Sequence, residues 1–200
     1  MDDKLSHTLF WETILKNIDS HIEEFENFVK YILNEFGTSE PCNRFDIGNS
    51  LEFSLKDILE KMGFTVQELP NAKRIDLCIN KTYKISIKYS STGDIKLHNS
   101  NNCLNTDMNM TDLLLITPDN LYLLTNENIK EYDIELVEYL KNTGDGLALK
   151  RSILNALNKK KFKYKYPINL AVNKSECKRR LCSKLFYEKA MEEFKTKAHH

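Results

Sequence analysis

The run DLLLI (112–116) constrains the fold more than any other stretch of the chain. Past its first residue it has no polar position, so as a strand it offers no face to water. A strand buried on both sides belongs to a sheet with helices on both sides. Pro118-Asp119-Asn120 breaks the run, and LYLLT (121–125) reads as its partner in a tight hairpin or a short crossing. Further β-type runs precede it at FTVQEL (64–69), RIDLCI (74–79) and KISIKYS (84–90).

Apolar residues from Trp11 to Phe36 recur at steps of three and four, which predicts one long amphipathic helix or two shorter ones over 8–36, ended by Gly37. TSEPCNRFDIGNS (38–50) reads as a loop, with Pro41, Gly48 and Asn49 as breakers. A helix follows over LEFSLKDILEKM, with Asn49 or Ser50 as N-cap and Gly63 just past its end. STGDIKLHNSNNCLNTDMNM (91–110) is too polar and asparagine-rich to form core. The remainder predicts helices near 132–142 and 147–160 about a TGDG turn, the alternating segment KFKYKYPINLAV, and a last helix over 175–197. Helix, helix, hairpin, buried strand and strand, in that order, make an α/β sandwich around a mixed sheet.

Charged residues are 29% and hydrophobic ones 41% of the 200, an ordinary balance for a soluble domain. No apolar run approaches the ~18–20 residues of a bilayer span, and MDDKLSHTLFW lacks the basic and apolar regions of a signal peptide, so a cytoplasmic protein is the expectation. Five cysteines without a CxxC pair suggest reduced thiols rather than a disulfide framework or a zinc ribbon. A formal net charge of zero argues against coating nucleic acid through bulk charge, but leaves room for a local basic surface.

The segment RIDLCINKTYKISIKYSS (74–91) holds the chemistry. Alternation puts Ile75, Leu77 and Ile79 on one face with Ile85, Ile87 and Tyr89, and Asp76 on the other with Ser86 and Lys88. That sharing of a face requires an odd-length turn. Turn residues 80–82 set Asp76 opposite Ser86, and 81–83 set it opposite Lys88; either leaves the side chains within about 5–8 Å. An aspartate so placed offers oxygen to Mg²⁺, and a lysine beside it can orient an attacking water and offset phosphate charge. The plainer alternative is a cross-strand ion pair worth under about 1 kcal/mol.

Asp76, a short turn and Ser86-Ile87-Lys88 resemble the core of the PD-(D/E)XK nucleases, the fold of many restriction endonucleases and Holliday-junction resolvases. That core is preceded by a helix bearing a glutamate, and GNSLEFSLKDILEKMGFTV supplies Glu52. On that helix Leu51, Leu55, Ile58 and Met62 cluster, with Leu59 beside Glu52 at the edge of the stripe. Ile75 replaces the motif's proline, and Ser86 stands where the motif has an acid. The resemblance implies that Glu52, or Glu68 on the first strand, completes a metal shell with Asp76, that the Ile87 carbonyl serves as a ligand, that Lys88 activates the water, and that Ser86 bonds a metal-bound water.

It further implies a restriction-endonuclease-like mixed sheet flanked by helices within one nuclease domain, 1–200. N-terminal helices would occupy 1–40, the core 48–125 and a helical, basic α/β extension 130–198. The expected activity is Mg²⁺-dependent hydrolysis of double-stranded DNA by a homodimeric, sequence-specific type II restriction enzyme. An RNA-cleaving or repair nuclease of the same fold is the first alternative, and a catalytically inactive nucleic-acid-binding or assembly module the second. Candidate nucleic-acid contacts are Ser90, Ser91 and Thr92 after the hairpin; Lys96, His98, Asn99, Asn101 and Asn102 in the polar segment; and Lys161, Lys163 and Lys165 in NKKKFKYKYP. As a strand, that last segment turns its lysines to one side and Phe162, Tyr164 and Tyr166 to the other, which suits a phosphate backbone or merely an edge strand protected from aggregation.

Overall fold

The computed structural model describes residues 6–37, 41–69, 75–98, 112–132, 140–142, 146–170 and 186–198. The N-terminal periodicity resolves into two helices, α1 (His7–Asn17) and α2 (Asp19–Phe36). The Ser6 hydroxyl caps α1 by accepting from the Leu9 N–H at 3.2 Å, and Gly37, at φ 65°, closes α2 as expected. The third helix, α3 (Pro41–Lys61), starts about ten residues before its expected N-terminus. Pro41 is a starter here rather than a breaker, because its missing N–H costs nothing in a first turn. Gly48 lies within the helix. Burial of Ile47 (1% exposed) and a bond from the Ser50 hydroxyl to the Asp46 carbonyl at 2.7 Å offset its poor propensity. Gly63, at φ 90°, ends α3: its N–H reaches the Glu60 carbonyl and the Phe64 N–H that of Leu59, a Schellman closure.

Strands β1 (Val66–Glu68), β2 (Leu77–Ile79), β3 (Tyr83–Tyr89), β5 (Asp112–Ile116), β6 (Asn120–Leu124) and β9 (Lys165–Pro167) form one mixed sheet in the order β1-β2-β3-β5-β6-β9. All neighbours are antiparallel except β3 and β5. Every residue of β5 is buried, as its apolar run requires, and β6 pairs with it as a hairpin, Ile116 against Leu121. A second antiparallel sheet, β4 (Ile95–His98), β8 (Gly146–Leu149) and β7 (Leu140–Asn142), takes its first strand from the polar segment.

The main sheet is covered on both faces. On one, Phe10 of α1 stacks on Tyr83 at 3.6 Å between centroids, the Trp11 indole donates to Asp112 at 2.8 Å, and the Tyr166 hydroxyl bonds Asp19 at the start of α2. On the other, Asn158 of α5 (Arg151–Lys159) donates to the Tyr122 hydroxyl at 3.3 Å. Helix α6 (Phe186–Ala198) packs on α2 and α3, where Tyr187 donates to Asp57 at 2.5 Å. Among the described residues no helix is long and apolar enough to cross a membrane.

Several C-terminal expectations shift. Most of the helix expected near 132–142 lies outside the described residues, which show α4 (Asn126–Glu131), capped by Thr125 and Asn128, just before it and strand β7 at 140–142. The helix placed near 147–160 is shorter because 146–149 is strand β8. The last helix is described only from 186, so its expected start at 175 lies outside the described residues. NKKKFKYKYP is a strand only at its end. Lys159 still belongs to α5, and Lys161, at φ 55°, sits where a Schellman closure wants glycine: its N–H bonds the Asn158 carbonyl and the Phe162 N–H that of Leu157. Burial of Phe162 (2% exposed) holds the lysine in that left-handed conformation. Lys161→Gly is therefore expected to raise stability by roughly 0.5–1 kcal/mol, seen as a higher urea midpoint at unchanged slope. A lower midpoint would show that the lysine stem contributes more than its backbone strain costs.

Candidate active site

The β2–β3 turn decides which residues meet. Asn80 and Lys81 both have positive φ (50° and 58°), and the Thr82 N–H closes on the Ile79 carbonyl. Ile79 pairs with Tyr83 and Leu77 with Ile85, so the turn is 80–82 and Asp76 comes opposite Ser86, the first of the two registers the sequence allowed. One carboxylate oxygen of Asp76, Oδ2, receives three donors: the Ser86 hydroxyl at 3.0 Å, the Ile87 N–H at 2.5 Å and the Lys88 ammonium at 3.1 Å. Lys88 Nζ also donates to the Ile87 carbonyl at 2.9 Å. The side chains are 14% and 33% exposed, so the pair stands at a sheltered edge rather than on an open surface. Among the described residues no donor reaches Asp76 Oδ1.

Glu52 completes the group from α3, with Leu51, Leu55, Ile58 and Leu59 of the same helix buried as the stripe predicts. Burial first, then the negative charge of Asp76 and more weakly that of Glu68, push its carboxyl up to about 7, against an opposing pull from Lys88 that is smaller than the push from Asp76. Glu52 thus sits within the field of Asp76 and Lys88. Glu68 lies at the rim, 46% exposed, and is paired with Lys56 at 2.6 Å. Among the described residues no three histidines, cysteines or acids group as a metal cage. Two carboxylates and one main-chain carbonyl nonetheless suit Mg²⁺, which binds through one or two carboxylates and fills its other positions with water and phosphate oxygen. Burial raises Glu52 most, and the repulsion from Asp76 that adds to it is of the kind a divalent cation relieves.

The remaining candidates are scattered. Ser90 is buried, and its hydroxyl organises the turn that leaves β3, accepting from the Thr92 and Gly93 N–H groups and donating to the Asp94 carbonyl at 2.8 Å. Ser91 and Thr92 are exposed beside it. Lys96 and His98 lie on β4, paired with Ala148 and Gly146; Asn99, Asn101 and Asn102 lie outside the described residues. Lys161, Lys163 and Lys165 are exposed while Phe162 and Tyr164 are buried, and Lys163 is paired with Glu131 at 3.0 Å. Sequence reasoning missed a second buried carboxylate, Asp112, held by the Trp11 indole and by His7 Nδ1 at 2.7 Å. Nothing in DLLLI signals partners a hundred residues away.

The raised Glu52 carboxyl has a consequence for stability. The folded protein holds that proton more tightly than the unfolded chain, whose glutamates titrate near 4.5. Its contribution is full below about 4.5 and is lost as pH climbs through about 7. Without metal, the wild type should lose up to about 3 kcal/mol more than Glu52→Gln between pH 5 and pH 8. Urea unfolding in EDTA at the two pH values measures this; parallel losses would place Glu52 in a solvated position away from Asp76.

Comparison of the chain with family models, curated proteins and solved structures returned no match.

Proposed function

We propose that this chain is a Mg²⁺-dependent endonuclease that hydrolyses phosphodiester bonds of duplex DNA at a specific sequence, working as a homodimer in the manner of a type II restriction enzyme. The observation that carries the reading is the convergence on Asp76 of Lys88, Ser86 and the Ile87 N–H, with Glu52 in the same electrostatic field. It also supports a PD-(D/E)XK-like core. One active site per chain makes two chains the simplest means of cutting both strands.

Asp76 and Glu52, with the Ile87 carbonyl, would hold the cation. When bound, Mg²⁺ supplies Lewis-acid stabilisation of charge on the phosphate and its leaving oxygen. The chain's own groups do the rest. An ammonium has three donors, and Lys88 spends two on Asp76 and Ile87, so the third can orient the attacking water or a non-bridging phosphate oxygen. The three donors on Oδ2 fix the Asp76 carboxylate and leave Oδ1 for the cation. Ser86, in the place of the motif acid, acts as a donor to Asp76 and thereby orients it, instead of contributing a charge. A deprotonated Glu52 is needed for the cation, so activity should rise with pH through about 7.

The same serine favours one other reading, a nucleic-acid-binding module that has lost an acid and its catalysis. Purified protein incubated with mixed-sequence duplex DNA, single-stranded DNA and RNA, in Mg²⁺ or EDTA, separates the readings. Discrete duplex fragments are expected in Mg²⁺ alone, with Lys88→Ala slower by about 10²–10⁴-fold and Asp76→Ala inactive. Fragments from RNA only would redirect the reading to an RNA nuclease. Binding without cleavage, indifferent to Mg²⁺ and to Asp76→Ala, would establish the module instead.

A further inference from the structure

Residues 150–165 hold seven lysines and arginines and no acid, in a chain whose formal net charge is zero. Strand register shows where this charge lies relative to the site. Lys88 of β3 pairs with Leu115 of β5, Leu115 with Tyr122 of β6, and Tyr122 with Lys165 of β9. Directly paired residues point to the same face of a sheet, so Lys88 and Lys165 stand on one face, three strand spacings or about 14 Å apart. Helix α5 bridges that interval. At one end its Arg151 N–H is capped by the Asp94 carboxylate at 2.7 Å, and Arg151 and Leu154 pack on Gly93 in the turn that leaves β3 just after Lys88. A Cβ on Gly93 would come within 3.2 Å of both. At the other end Asn158 donates to Tyr122 and accepts from Lys165 Nζ at 3.2 Å. Nine residues of helix span about 13 Å, which matches the distance to be covered.

The outer side of α5 is polar and cationic. Ile153, Leu154 and Leu157 are buried beneath it, while Arg151, Ser152, Asn155, Asn158 and Lys159 are exposed. Among the described residues no carboxylate pairs with Lys159, Lys161 or Lys165. A solvated helix face on a neutral protein has no need to exclude acids over sixteen residues, whereas a surface facing phosphates does.

We propose that the exposed face of α5, continued by Lys161 and Lys165, receives the phosphate backbone of the duplex whose scissile bond lies at Asp76 and Lys88. The proposal rests on the nuclease reading for the identity of the polyanion. Its roughly 13–14 Å corresponds to about four base-pair rises, so α5 would hold the flank of the cut site. Arg151, Lys159 and Lys165 position the duplex through charge, and Ser152 and Asn155 add hydrogen bonds to phosphate oxygens.

The test compares two triple variants with the same change of net charge. One is Arg151→Gln/Lys159→Gln/Lys165→Gln; the other is Lys189→Gln/Lys195→Gln/Lys197→Gln on the exposed side of α6. Binding of a fluorescein-labelled duplex is followed by anisotropy in EDTA from about 50 to 200 mM salt, with the fold of each variant checked by circular dichroism. The α5 variant should lower the slope of log affinity against log salt by about 2.7, at 0.9 per phosphate contact, and the α6 variant should leave it unchanged. Equal slopes for all three proteins, equal losses in both variants, or no duplex binding by the wild type would overturn the proposal. Because binding is read without metal and cleavage separately in Mg²⁺, the two ideas fail separately. A wild type that cuts while the α5 slope stays put sinks the docking surface alone, and an altered α5 slope on a protein that never cuts sinks the nuclease reading alone.

Discussion

The parallel pairing of β3 with β5 is the constraint on which the rest of the molecule depends. Antiparallel neighbours can be joined by a tight turn, but a parallel neighbour must be reached by leaving the sheet and returning. The chain leaves β3 at Ser90, and the buried hydroxyl of that residue turns it away through bonds to Thr92, Gly93 and Asp94. The excursion supplies β4 to the second sheet and Asp94 to the start of α5. The same pairing places the wholly buried β5 at the centre of the sheet, which obliges helices to cover both of its faces. The second sheet and the placing of the basic helix both follow from where β3 ends.

Within the site, the decisive balance is between desolvation and donors. A carboxylate as sheltered as Asp76 is costly unless its charge is met, and three donors on a single oxygen meet it. Among the described residues no such set of donors reaches Glu52, so burial and then the neighbouring acids dominate and its proton is retained to about 7.

What the sequence disclosed and what it hid divide along the range of the interactions. Strand periodicity in RIDLCI and KISIKYS placed Asp76, Ser86 and Lys88 on one face, because a two-residue period is a local property. It left the turn ambiguous between 80–82 and 81–83, since that choice depends on Asn80 and Lys81 both accepting positive φ. The apolar run of β5 announced its burial, but the partners of Asp112 lie in α1. Pro41 and Gly48 read as loop residues by propensity and were overruled by the burial of Ile47. Lysine periodicity in NKKKFKYKYP suggested a strand. The alternation of exposed lysines and buried rings survived, but a Schellman closure around Lys161 and Phe162 produced it.

Charge placement gives the molecule a polarity that its neutral total conceals. Helices α1 and α2 carry six acids against two lysines, and they cover the face of the sheet that bears Tyr83 and Asp112. The opposite face carries Lys88 and α5, with no acid between Lys150 and Lys165. A polyanion approaching this chain would be repelled from the first side and drawn to the second, the side where the Asp76 cluster opens. A protein binding nucleic acid by bulk charge would be basic throughout and stick anywhere along it. A cationic helix on one face and an acidic pair of helices on the other let a chain of zero net charge present a preferred side to a polyanion.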